Sequence, residues 1–386
     1  MKLLIITNLF PNHLDPERGI FNKQQFTRLA KFCDLKVVAP LPWFPKLPIQ
    51  NKRSIFADIV QEEKIEGIDT FHPRYLVIPK IGRALYGMFY YLGIRGVVKK
   101  IERNFSFDAI LATWAYPDCF AAARLAQQLN KPLVVKFHGT DINVLAQSSF
   151  RRKMIVETCQ KANHIIVVTA ALKKQVVEFG IDAKKITVIP NGVDTEVFTP
   201  LDQKDCQQKL GLAIDKKHIV FIGHLTPIKG LFYLIEALKQ LPEDVYLSVI
   251  GDGELQSELD AKIAEFNLQK RVKFFGKRPH SEIVQWMNAA DVFCLPSLNE
   301  GCPNVVLEAL ACGRPVVASR VGGIPEIMVS DYLGITAEAK NARSLAHALA
   351  HVLNQNWDAR KIRDYALRFS WDEGAKKIFE LVKTLV

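Results

Sequence analysis

The chain has 386 residues, 49% of them hydrophobic, and a formal net charge of +11. At ~150 residues per domain this length suits two domains, and the composition excludes a disordered chain, a collagen and a coiled coil. No run of about 18 uncharged apolar residues occurs, so no transmembrane helix is expected.

The chain opens MKLLIITNLFPNH. Its apolar run is too short for a signal peptide and no A-x-A site follows, so it reads as a buried first strand, Lys2–Thr7. Further strands are expected in the first half at Leu35–Ala39, Ala109–Thr113, Leu133–Phe137, Ile165–Thr169 and Ile186–Ile189. Residues 51–75 look like an insertion of strands or a hairpin. In the second half the strands fall at His218–Ile222, Tyr246–Gly251, Val272–Phe275, Val292–Leu295 and Pro315–Ala318. Amphipathic stretches such as 230–240 and 281–290 lie between them. Short Val/Ile-rich runs alternating with helices signify βαβ units, and so many strands fit two doubly wound sheets better than one. Pro190-Asn191-Gly192 is turn chemistry. The expected domains are 1–195 and 196–386, with a last helix at about 366–386 that crosses back to the first. Ligands of such sheets sit beyond the carboxyl ends of the strands, so two Rossmann-like domains would enclose a cleft.

Charge is unevenly spread. Residues 1–200 carry 28 basic and 17 acidic side chains, which is the whole excess. That points to an anionic partner of this half: a membrane surface, a phosphorylated substrate or a nucleic acid. A plain soluble basic surface is the alternative. Seven cysteines at irregular spacing, without C-x-x-C, argue against a disulfide framework or zinc site and for a reducing cytoplasm.

The most informative stretch is Asp291–Ser319, DVFCLPSLNEGCPNVVLEALACGRPVVAS. It reads strand, loop, helix, strand, with Pro303 in the first helical turn and Gly313 at the end. A helix N-terminus offers free N–H groups to a phosphate. Glu308, about 7–8 Å along at ~1.5 Å per residue, can then accept from ribose hydroxyls and Glu300 in the loop can reach a sugar; on spacing alone, a helix with ordinary acidic residues on its face is the favoured alternative.

Glu300 and Glu308 form an E-x7-E pattern that continues EALACGRPVVAS and then Gly322-Gly323-Ile324-Pro325-Glu326. With IPNGVD at 189–194, FIGHLTPIKG at 221–230, VIGDGEL at 249–255, HGTD at 138–141 and Arg18-Gly19, the chain resembles the retaining glycosyltransferases of family 4 over nearly its whole length. The resemblance implies a GT-B fold and a nucleotide-diphosphate sugar as co-substrate, with no metal or other cofactor. It implies Glu300 near the donor sugar, Glu308 on the ribose, and the backbone of Gly301, Cys302, Pro303, Asn304 and Val305 around sugar and phosphate. Lys229 and His224 would hold the diphosphate; the family usually has Arg where His224 stands. His138 would contact the donor sugar. Gly19 would let the backbone approach the diphosphate, and Arg18 is a candidate contact for an anionic acceptor or the phosphates. Lys277 and Arg278 are candidates near the base.

In residues 80–104, Phe89, Tyr90, Tyr91, Leu92 and Ile94 are expected to give an apolar, aromatic face flanked by Lys80, Arg83, Arg95, Lys99, Lys100 and Arg103. This suits an interfacial helix on an anionic leaflet, or a core helix with a basic outer face. Trp43-Phe44-Pro45 is a second candidate membrane contact. The expected activity is retaining transfer from a UDP- or GDP-sugar to a saccharide or lipid-linked acceptor, in the cytoplasm or on the inner face of the membrane. The rivals are an epimerase or hydrolase on the same fold and a non-catalytic sugar-nucleotide binder. A nucleic-acid partner is not expected, because no binding motif is recognisable.

Overall fold

A computed structural model of the chain describes residues 1–43, 56, 58–77 and 85–386. It divides into two compact units, Met1–Pro190 with Trp371–Val386, and Asn191–Ser370. The division falls before residue 195 because Asn191 is bonded into the second unit. Its Nδ2 donates to Asn304 Oδ1 at 2.9 Å and to the Cys302 carbonyl at 3.3 Å. Val193 N–H donates to the Phe369 carbonyl at 2.7 Å.

In the first unit the strands are β1 (Lys2–Ile6), β2 (Asp34–Val38), β3 (Leu41–Trp43), β4 (Glu62–Ile65), β5 (Ile68–Phe71), β6 (Arg74–Leu76), β7 (Ala109–Thr113), β8 (Leu133–Phe137), β9 (His164–Val167) and β10 (Ile186–Val188). Eight form one sheet in the order β10-β9-β8-β7-β1-β2-β5-β4. All its pairings are parallel except β4–β5, an antiparallel hairpin inside the expected 51–75 insertion. β3 and β6 pair separately and in parallel. Leu3, Leu4, Ile5 and Ile6 are all fully buried, as expected of a central parallel strand covered on both faces. The final helix, Trp371–Lys383, belongs to this unit. Its Ala375, Ile378 and Val382 join Phe26, Leu29 and Leu3 in one core, and Asp372 bonds Arg28 and Lys31 at 3.1 and 2.9 Å.

The second unit holds β11 (Lys217–Ile222), β12 (Val245–Ile250), β13 (Val272–Gly276), β14 (Val292–Leu295), β15 (Val316–Ser319) and β16 (Gly334–Ala337). They form one parallel sheet in the order β13-β12-β11-β14-β15-β16. In each sheet the strand order reverses beside one central strand: between β1 and β7 in the first, and between β11 and β14 in the second. Chain crossovers leave in opposite directions there, so a crevice opens at the carboxyl ends of the two strands.

The helix Tyr86–Phe105 corrects the reading of residues 80–104. Four consecutive residues are spread over about 300° of a helix at ~3.6 residues per turn, so Phe89–Leu92 cannot share a face. Tyr90, Tyr91, Ile94, Val98 and Ile101 are buried in the core. The outer face instead runs Leu85, Met88, Leu92, Arg95, Lys99 and Arg103, all exposed and three or four residues apart. Lys80, Arg83, Phe44 and Pro45 lie outside the described residues; Trp43 is half exposed.

Candidate active site

At the switch point of the second sheet, the loop after β11 meets the loop after β14. Leu298 N–H donates to the Ile228 carbonyl at 2.7 Å. This seam brings Lys229 Nζ to 2.6 Å from Glu300 Oε1, and the buried Ser297 hydroxyl donates to the same oxygen at 2.6 Å. Glu300 is in turn backed by the loop after β15. Gly322 has φ +53°, and a Cβ there would lie 1.8 Å from the Glu300 carbonyl oxygen, so only glycine fits. Gly323 N–H donates to the Gly301 carbonyl at 3.0 Å.

Residues 301–305 run into the helix Asn304–Ala311, with Pro303 at its N-cap. The first N–H groups of a helix have no partner inside it, and this helix starts four residues after Glu300. Cys302 and Asn304 are held by Asn191, as described above. Glu308 is the fifth residue of this helix and only 5% exposed. Its Oε1 lies 3.0 Å from His280 Nε2, and the ring of Phe198 stands edge-on to His280 at 5.1 Å. His224 is exposed, with Nδ1 3.6 Å from Asp252 Oδ1. Lys277 and Arg278 are exposed as well, and Arg278 Nε donates to the Phe275 carbonyl at 3.1 Å. Lys229, Glu300 and 301–305 are thus gathered at one seam, whereas His224 stands at the surface of its loop beside Asp252.

The first unit has its own rim. Asp118, fully buried, follows β7; its Oδ1 accepts from Asn8 N–H, after β1, and from the Tyr90 hydroxyl at 2.8 Å. Burial pushes Asp118 up to about 8, against the pull of those donors and of Arg18. Arg18 Nε donates to the Asn8 carbonyl at 2.9 Å. Gly19 has φ +58°, and a Cβ would lie 2.2 Å from the Leu9 carbonyl oxygen; the chain needs glycine here for its own turn. After β8, Asp141 is fully buried and accepts from the N–H groups of His138, Gly139 and Ala115 at 2.9–3.0 Å. Burial still raises it to about 6. His138 packs on Phe21 at 4.8 Å. Both its ring nitrogens are buried, and among the described residues neither has a hydrogen-bond partner. Burial, then the neighbouring Lys136 charge, hold it well below the usual histidine range, so it is neutral.

The glycosyl transferases group 1 family matches residues 202–369, and glycosyltransferase family 4 matches residues 54–197. The chain belongs to the family 4 glycosyltransferases. TuaC of Bacillus subtilis (strain 168), named as a glycosyltransferase of teichuronic acid biosynthesis, is 29% identical over 90% of this chain and 88% of its own. An Escherichia coli UDP-Gal:alpha-D-GlcNAc-diphosphoundecaprenol alpha-1,3-galactosyltransferase is 36% identical over 45% of this chain and 47% of its own. Among solved structures, Anabaena HepE in complex with UDP superposes with a TM-score of 0.76 at 22% identity, covering all of both chains. The fold is of the GT-B type, with two parallel-sheet α/β units.

Three residues of this glycosyltransferase escaped the sequence reading. Asp141 was legible as the last letter of HGTD, but its role as a clamp on three N–H groups needs the loop conformation. Asp118 and His280 carry no local signal. Their partners, Asn8 and Glu308, lie 110 and 28 residues away.

Proposed function

We propose that this glycosyltransferase moves a sugar from a nucleoside-diphosphate sugar to a hydroxyl of a saccharide or lipid-linked acceptor, with retention at the anomeric carbon and without a metal. The observation that carries the reading is the Lys229–Glu300 pair at the switch point, beside a helix N-terminus and Glu308. An ammonium has three donors, so Lys229 can keep Glu300 and still hold a diphosphate oxygen. The N–H groups at 301–305 would face the phosphates, Glu300 the sugar hydroxyls and Glu308 the ribose. His138 is neutral and its buried nitrogens are unpartnered, which suits hydrogen bonding to a neutral sugar. His224, exposed beside Asp252, is the weaker diphosphate contact of the pair.

In this reading the anomeric carbon–diphosphate oxygen bond breaks through an oxocarbenium-like state. Lys229 and the N–H groups stabilise the charge growing on the diphosphate. The acceptor oxygen forms its bond on the face the diphosphate leaves, and the acceptor proton passes to a diphosphate oxygen. No separate base is required.

The names of similar proteins guide the choice of donor and acceptor. HepE was crystallised with UDP, with UDP and glucose, and with UDP-glucose, and the Escherichia coli relative is named for UDP-Gal and a diphosphoundecaprenol acceptor. UDP-sugars are therefore the first donors to test, with GDP-sugars second. No described helix is long and apolar enough to cross a membrane; a lipid-linked acceptor would be reached by peripheral docking through the outer face of the helix Tyr86–Phe105.

The test is a panel of UDP-, GDP- and ADP-sugars scored by thermal shift, then transfer to polysaccharide precursors with the product's anomeric configuration read by NMR. A ligand at about 100 times its Kd stabilises by about 2.7 kcal/mol, which a melting curve resolves. No shift with any nucleotide sugar overturns the donor reading. An inverted product overturns retention alone, and release of free sugar without transfer favours a hydrolase.

A further inference from the structure

The second unit contains a buried carboxylate held by a histidine that no motif contains. Glu308 Oε1 is 3.0 Å from His280 Nε2, and among the described residues no other hydrogen bond to the Glu308 carboxylate is seen. A carboxylate only 5% exposed needs a donor, and His280 supplies it. The Oε2 oxygen is neither bonded nor sealed from solvent. His280 is itself fixed twice: it is the first residue of the helix His280–Ala289, directly after Pro279, and the edge of its ring meets Phe198. That helix packs beside Asn304–Ala311, although its preceding strand, β13, is separated from β14 by two strands. The sheet order thus brings two loops distant in sequence to one carboxylate.

We propose that His280 is the positioning residue of Glu308: by bonding Oε1 it fixes the carboxylate so that Oε2 is presented to the vicinal hydroxyls of a ribose. The inference rests on the reading of Glu308 as the ribose-binding group and deepens it. Rotamer freedom is the quantity at stake. A free glutamate samples several χ states, and a buried one without its donor would turn to any other partner or take up a proton. A ribose offers two hydroxyl donors at fixed separation, so a locked carboxylate binds it at lower entropic cost than a mobile one. His280 would contact neither sugar nor phosphate.

The experiment compares nucleotide binding by calorimetry for UDP, GDP and ADP, and for the 2′,3′-dideoxy form of whichever binds the wild type. His280→Leu removes the donor, His280→Gln keeps an N–H near the Nε2 position, and Glu308→Ala removes the acceptor. His280→Leu should weaken the ribonucleotide about tenfold, in the range expected for a lost hydrogen bond to a charge, and leave the dideoxy nucleotide unchanged. His280→Gln should recover most of the loss, and both variants should melt close to the wild type. An equal loss on both nucleotides, or none on either, overturns the positioning role. If Glu308→Ala costs the ribonucleotide and the dideoxy nucleotide equally, or neither, the ribose assignment itself falls. If Glu308→Ala costs the ribonucleotide alone and His280→Leu does not, only the His280 inference falls. No binding of any nucleotide by the wild type removes both.

Discussion

At the switch point of the second sheet, Glu300 shares one oxygen between the Lys229 ammonium and the Ser297 hydroxyl. At the switch point of the first sheet, Asp118 Oδ1 accepts from neutral donors, the Tyr90 hydroxyl and the Asn8 amide, and among the described residues its buried Oδ2 has no partner. The positions correspond: each carboxylate follows the strand on the far side of the reversal. One rim pairs its carboxylate with a fixed positive charge, whereas at the other burial favours the neutral forms of Asp118 and His138. A diphosphate needs the first arrangement. A sugar hydroxyl, uncharged before and after transfer, is matched by the second. Burying an unpartnered charge costs far more than burying an unpartnered hydroxyl, so under the proposed function the charged rim takes the diphosphate and the other the sugar hydroxyls.

The largest expected effect lies at the charged rim. Lys229→Ala leaves Glu300, among the described residues, with Ser297 as its remaining side-chain donor and removes the cation that, under the proposed function, faces the growing charge on the diphosphate. Losing one such electrostatic contact costs about 10²–10³ in kcat in comparable sites. Lys229→Arg should keep more of the rate, since the charge survives. Turnover with the cognate donor and acceptor is the measurement, and a Lys229→Ala enzyme within fivefold of wild type breaks the comparison.

The neutral rim should fail differently. His138→Ala removes two buried hydrogen-bonding nitrogens without changing net charge, because His138 is held neutral by burial and by Lys136. Turnover should drop about tenfold to a hundredfold, as for the loss of one or two substrate hydrogen bonds, while UDP affinity stays put. The rate should show no step near about pH 6.5, the usual histidine range, that His138→Gln abolishes. Such a step would show that His138 works charged and would erase the contrast between the rims.

How much of this was legible follows the range of the signals. The parallel strands stand out because Leu3–Ile6, Ala109–Thr113 and Val292–Leu295 are unbroken apolar runs bounded by turns. Their observed edges move by only a residue or two. β16 was missed: Gly334-Ile335-Thr336-Ala337 is an edge strand with two buried residues out of four, too mixed to show. β3 and β6 are three residues each and pair only through the tertiary fold. The Lys229 and Glu300 loops were readable as strand–loop–helix units, yet their 2.6 Å contact depends on β11 and β14 being neighbours, a fact of sheet order that no local window holds. The aromatic run 89–92 misled for the opposite reason. Composition was read as a face, and helical geometry divides those residues between core and solvent.

Asp118 offers a gentler way to sharpen the contrast, through stability. A carboxyl in the unfolded chain titrates near about 3.9, and burial raises Asp118 in the fold to about 8. Between those values the folded chain binds the extra proton. Its stabilising contribution is therefore fully present below about pH 4 and is lost as pH rises toward 8. Asp118→Asn keeps an oxygen to accept from Asn8 and Tyr90 and does not ionise. The variant should match the wild type near about pH 4 and melt well above it near pH 8.5; each ~1 kcal/mol moves the midpoint of a domain this size by about 2–4 °C. Parallel melting curves across that range would mean that Asp118 is not the neutral counterpart of Glu300.

The smallest effect concerns the outer face of the helix Tyr86–Phe105. Its exposed stripe changes character along the axis, from Leu85, Met88 and Leu92 to Arg95, Lys99 and Arg103. That is the order a helix tilted into an anionic leaflet would use, apolar end down and cations at headgroup level. Lys100, although close by, is engaged with Glu62 at 3.2 Å, so Arg95 and Lys99 are the cations to reverse. Each cation near an anionic surface contributes about 1 kcal/mol, and Arg95→Glu with Lys99→Glu should weaken co-sedimentation with vesicles containing phosphatidylglycerol by about tenfold or more. Raising salt from 0.1 to 1 M should do the same to the wild type, as the Debye length falls from about 10 to 3 Å. Transfer to a soluble acceptor analogue should not change, because the stripe lies on neither rim. Equal binding of wild type to neutral and anionic vesicles, or to neither, rules out electrostatic docking and makes a soluble acceptor the better match for the neutral rim.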